Sequence, residues 1–154
     1  MEKKFLTIRK MHIFLERSFV FTKKNDDINR MNITPKDLHQ WEYNLFYTIK
    51  NLSDLNYQRL AWTGKLTGVV SSYSEIINML FDDFELEEYI NYIKDQPKKK
   101  LLHQALTELV IDLNSYKPFS NDKLILQDPN WEKITQKAQD ISSLEIVIAS
   151  LRKD

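Results

Sequence analysis

Two glycines in 154 residues constrain this chain more than any other feature of its sequence. Globular chains average about 7% glycine. Tight antiparallel hairpins and dinucleotide-binding loops both rely on glycine at positive φ, so both architectures are disfavoured. The remaining composition suits helices. Apolar residues make up 42% of the chain and eighteen residues are aromatic, enough for a sizeable core in one domain of this length. Cysteine is absent, which excludes a disulfide scaffold and any thiolate metal site.

The apolar periodicity predicts a succession of helices. Phe5, Ile8, His12, Leu15 and Phe19 recur at three- and four-residue steps, with Ile13, Phe14, Val20 and Phe21 widening the face. Thr34-Pro35-Lys36-Asp37 reads as a helix start, with Thr34 as cap, proline at the first helical position and an acid at the third. Leu38, Trp41, Leu45 and Ile49 continue it. A further helix starts at Ser53 or Asp54 and carries Tyr57, Leu60, Ala61, Gly64 and Gly68. Ser72-Tyr73-Ser74-Glu75 has the capping-box form, followed by Ile76, Ile77, Leu80 and Phe81. The next helix is expected to start near Asp83, with Leu86, Ile90 and Ile93 inward. Beyond Pro97, Leu101, Leu102, Ala105, Leu106, Leu109, Val110 and Leu113 form an amphipathic row. Lys98, Lys99 and Lys100 sit in its first turn, where cations oppose the helix dipole without a visible reason. Leu124-Ile125-Leu126 reads as a short strand or a buried loop. Asp128-Pro129 opens a last helix whose row is Trp131, Ile134, Ala138, Ile141, Glu145, Ile148 and Leu151. The expectation is an all-α, single-domain bundle of six or seven helices over 1–154, with at most one very short strand pair.

Candidate chemistry is sparse. His12, His39 and His103 are far apart and none has a second histidine three or four residues on, so no two-histidine metal face exists. An enzyme would have to bring His39 or His103 to carboxylates in space. Gly64-Lys65-Leu66-Thr67-Gly68 is not a phosphate loop, because the glycine spacing is wrong and Val69 follows Gly68. Ala61, Gly64 and Gly68 instead suggest a stripe of small residues for close helix packing, or else a functional loop or hinge. No calcium-loop pattern occurs, and neither a cofactor nor a metal is expected. No run of about 18 apolar residues could span a membrane, and the amino-terminal stretch lacks the apolar core of a signal peptide, so a cytoplasmic protein is expected.

Charge is more informative. Lysine plus arginine and aspartate plus glutamate both total 22, a balance unlike that of a generic nucleic-acid binder, although a local patch is not excluded. From Met1 to Lys36 nine bases face four acids; a regulator contacting nucleic acid through this segment is the second expectation. From Glu75 to Asp95 seven acids face one base, Lys94. Asp82, Asp83, Glu85, Glu87 and Glu88 lie among Phe84, Tyr89 and Tyr92. Rings within a rim of one sign suit a protein interface: the rings supply buried area, and the charge speeds encounter with a basic partner. The other reading is a solvated helix face.

The stretch from Gln58-Arg59-Leu60-Ala61-Trp62-Thr63-Gly64-Lys65 through Ser71-Ser72-Tyr73-Ser74-Glu75 to Phe81-Asp82-Asp83 resembles small helical immunity proteins of bacterial polymorphic-toxin systems, including contact-dependent growth inhibition. The resemblance implies a cytoplasmic, non-catalytic protein that binds a cognate toxin domain, often a nuclease, and blocks its active site. It transfers no individual site residue.

Overall fold

A computed structural model of the chain describes residues 33–150. The chain divides into two compact units, Met1–Thr34 and Pro35–Asp154, and the architecture below is that of the second. The amphipathic stretch expected between Phe5 and Phe21, His12, the basic residues up to Arg30, and Leu151 lie outside the described residues.

The described residues are all-α. Seven α-helices follow in order: α1 (Pro35–Ser53), α2 (Leu55–Ala61), α3 (Tyr73–Asn78), α4 (Leu86–Ile93), α5 (Lys100–Ser115), α6 (Asp122–Ile125) and α7 (Pro129–Ser150). A π-helical turn (Met79–Asp83) extends α3, and a 3-10 turn (Pro97–Lys99) leads into α5. No strand occurs among the described residues.

The helix starts follow local chemistry. Asp54 Oδ1 accepts from the Tyr57 amide at 2.8 Å and caps α2. Ser72 Oγ accepts from the Glu75 amide at 3.0 Å and caps α3. Ahead of α7, Asp128 Oδ1 accepts from the Asn130 amide at 2.9 Å. Each such cap stabilises by about 1 kcal/mol because it satisfies an amide that has no partner within the helix. Leu124-Ile125-Leu126 is neither strand nor loop: Asn121 caps a single helical turn, α6, which drives Ile125 into the core.

α1 packs most extensively on α7, α5 lies on α7, and α4 lies on α5. Leu45, Ile49 and Leu52 of α1 meet Leu102, Leu106 and Leu109 of α5 and Trp131, Ile134 and Ala138 of α7 in one cluster. Gln58 of α2, fully buried, ties these layers together. Its amide nitrogen donates to the carbonyls of Asn51 (3.0 Å) and Leu52 (2.7 Å), while its oxygen accepts from Trp131 Nε1 at 2.9 Å.

The structure corrects the reading of the glycines. Gly64 and Gly68 lie beyond the end of α2, so no small-residue stripe exists on a helix. Gly64 has φ +69°, donates to the Ala61 carbonyl, and is followed by Lys65 donating to Leu60 at 2.8 Å. That is the Schellman pattern, which stops a helix with a left-handed residue. Gly68 has φ +75°, and the bond from the Val69 amide to the Leu66 carbonyl closes a turn of type II form around it. Nothing lies within 4 Å of where either Cβ would be, so backbone conformation, not close approach, requires glycine.

α4 starts later than expected, at Leu86 rather than Asp83. The π turn carries the chain to Phe84, whose amide donates to the Met79 carbonyl at 2.9 Å, and Glu85 then adopts φ +47°. This one left-handed residue breaks the helix so that Leu80, before it, and Leu86, after it, both reach the core.

Candidate functional site

The acidic segment is built around that break. Asp82 and Asp83 end the π turn and are exposed. Directly after them, the Phe84 carbonyl accepts from Trp41 Nε1 of α1 at 2.7 Å, which ties the junction to the long helix behind it. Phe81 and Phe84 are half-buried against the core. Glu85, Glu87 and Glu88 are half-buried too, and none of them is without a partner.

The rings divide. Tyr92 is half-buried, its centroid 6.0 Å from that of Trp41. Tyr89 is fully buried and cannot serve as the exposed anchor expected of it. The cause is helical spacing: Tyr89 follows Leu86 by three residues and precedes Ile93 by four, and all three point inward. Its ring meets Trp41 and Phe46 edge-on at 5.5 and 5.8 Å. Its hydroxyl donates to Glu42 Oε1 at 2.8 Å. Lys99 Nζ donates to the same oxygen at 2.6 Å and lies 3.3 Å from the Tyr89 oxygen, over a ring whose centroid is 5.4 Å away.

Glu42, Tyr89 and Lys99 therefore form a buried ionic triad linking α1, α4 and the 3-10 turn before α5. It explains the lysines that oppose the α5 dipole. Lys98 and Lys100 point to solvent, and Lys99 turns inward to neutralise Glu42. The sequence did carry a signal: Glu42 sits inside the apolar row Leu38, Trp41, Leu45 and Ile49, where an uncompensated carboxylate would be costly.

A cleft of about 370 Å³ opens where α5 ends and α7 begins, lined by Asp112, Tyr116, Lys117, Asp128, Asn130 and Lys133 among others. Tyr116 donates to Asp128 Oδ2 at 2.8 Å, and its ring belongs to a cluster with Tyr73 and Trp131. Asp112 is ion-paired with Lys137. Burial, then the bond to Asp128 and the nearby charge, push the Tyr116 phenol well above its usual range. Because the folded protein holds this proton more tightly than the unfolded chain, the contribution is constant below pH about 10 and is lost as pH rises beyond it. Urea midpoints are expected to fall with pH above about 10, and Tyr116→Phe to flatten that fall. An identical alkaline slope in the variant would refute the assignment.

His39 is exposed on α1 and His103 half-buried on α5. Among the described residues no group of three or more histidines and carboxylates could hold a metal ion, and no helix is long and apolar enough to cross a membrane. The basic amino-terminal segment, apart from Lys36, lies outside the described residues. No protein-family model, curated protein or solved structure matches the chain.

Proposed function

We propose that this is a cytoplasmic, non-catalytic inhibitor, an immunity protein that binds the basic active-site cleft of a cognate toxin domain and blocks it stoichiometrically. The observation that carries the reading is the placement of Asp82 and Asp83. Two adjacent exposed carboxylates stand on a π turn tethered to α1 through Trp41 and Phe84. A carboxylate pair on a tethered junction loses less freedom on docking than one on a loose loop. Beside it, Phe84 and Tyr92 are only half-buried. Tyr89 has no part in the contact. Glu85, Glu87 and Glu88 add to the local negative field but are engaged within the chain.

The test is charge reversal at the two exposed positions, Asp82→Lys with Asp83→Lys, against the cognate toxin domain. Association is expected to slow by about tenfold or more at low salt, and the deficit to shrink as salt screens the field. The thermal midpoint should stay within about 2 °C, because neither side chain is packed. A variant that associates at the original rate and still protects cells from the toxin would remove this docking face from the proposal.

A further inference from the structure

One face of α1 takes no part in the acidic junction and, among the described residues, is not buried in the core. At 100° per residue, Lys36, Tyr43, Tyr47 and Lys50 fall within a sector of about 60° that lies opposite Leu45 and Leu52. All four are exposed, Tyr43 at 60% and Tyr47 at 52%. The two rings are nearly parallel, 13° between planes, with centroids 6.3 Å apart. Gln40, also exposed, lies on the same side and bonds Asn44 at 3.0 Å.

Lys36 and Lys50 make no ion pair among the described residues. Asp54, just past the end of the row, is occupied in capping α2. The face therefore presents two π surfaces in the middle and one exposed positive charge towards each end, spread over about 21 Å of helix at 1.5 Å per residue. Five buried residues on the other side of α1 hold it rigid.

We infer that the Lys36–Tyr43–Tyr47–Lys50 face of α1 is a docking surface for single-stranded nucleic acid. Rings take unpaired bases by stacking, whichever base is presented, and flanking lysines take the phosphates. Lysine is depleted in protein–protein interfaces, so the bracketing cations favour a polyanion over a polypeptide. A duplex cannot offer unstacked bases to the two tyrosines. The overall charge balance confines binding to this local patch and predicts modest affinity. Asp82 and Asp83 are not part of this face, so it stands or falls independently of toxin binding.

The experiment uses the full chain and a fluorescent oligo-dT or oligo-rU of about 12 nucleotides, followed by anisotropy at about 50 mM salt. Measurable binding is expected, with a duplex of equal length bound at least tenfold more weakly. Tyr43→Leu with Tyr47→Leu should weaken binding by about 10- to 100-fold while helicity by circular dichroism is retained. Lys36→Gln with Lys50→Gln should reduce the slope of log affinity against log salt by about 1.4, at 0.7 per neutralised phosphate. Absence of binding overturns the inference, as does equal affinity for duplex. Binding untouched by the tyrosine pair overturns it too, leaving the rings as a helix-stabilising i,i+4 pair and placing nucleic-acid contacts elsewhere in the chain. Tighter binding of a poly-glutamate peptide than of the oligonucleotide would reassign the face to an acidic protein.

Discussion

Lys99→Met is expected to destabilise the bundle by about 3–5 kcal/mol, the cost of removing one partner from a buried ion pair. Lys99 and Glu42 side chains are only 8% and 11% exposed, and their charged atoms are 2.6 Å apart. Removing the ammonium takes a 2.6 Å partner from a largely buried carboxylate, with the Tyr89 hydroxyl remaining as a donor to it. The informative comparison is the paired change, Glu42→Met with Lys99→Met. Apolar side chains of similar length should recover most of the loss, because they remove the desolvation cost of both ions together. Urea unfolding of the four proteins checks this. Equal instability of the single and paired variants would show that packing, not charge compensation, is what Lys99 supplies. Tyr89→Phe should cost less, about 1–2 kcal/mol, since the ring stays packed while the hydroxyl's bond to the carboxylate and the longer one it accepts from Lys99 are lost.

The second large effect concerns Gln58 and Trp131, residues 73 positions apart that meet in the core. Gln58→Leu removes an acceptor from the Trp131 indole and donors from two backbone carbonyls in a region with no solvent access to Gln58 itself. At about 1–3 kcal/mol for each buried polar group left unpaired, a loss of about 3–5 kcal/mol is expected. Trp131→Phe should cost a similar amount through lost volume, because its ring is fully buried against Trp62, Tyr73 and Tyr116. Combined, the two should cost less than their sum by about 1 kcal/mol or more, since the indole N–H that lacks an acceptor in Gln58→Leu no longer exists. Strict additivity in thermal or urea unfolding would mean that the bond carries no net stability.

Helix boundaries were legible wherever local chemistry decides them. Pro35, Asp54, Ser72 and the Asp128-Pro129 pair each mark a start that the structure places within a residue or two. The α5 and α7 rows were largely legible because a 3.6-residue repeat of large apolar side chains leaves little choice of inner face, although Leu101, counted in the α5 row, is 66% exposed. The junction before α4 was not legible. A left-handed glutamate and a π turn have no compositional mark, and they arise because Leu80 and Leu86 must both reach one core. The glycines misled for a related reason: their three- and four-residue spacing mimics a helical stripe, whereas two separate left-handed turns need them.

The acidic segment divides along the same line. Its charge follows from sequence alone; that Asp82 and Asp83 are exposed while the equally adjacent Glu87 and Glu88 are half-buried does not. Nor does the choice of rings that stand beside the aspartates. Tyr89 and Tyr92 lie on one short helix with the same chemistry; spacing groups Tyr89 with Leu86 and Ile93, and the approach of α1, bringing Trp41, Phe46 and Glu42, makes that side the inside. The sequence by itself determined the helices of the described residues, their caps and the sign of the charged segments, because these depend on near neighbours. The tertiary structure decided which ionic groups are paired and which aromatics are free, because burial is a property of elements that meet from distant parts of the chain.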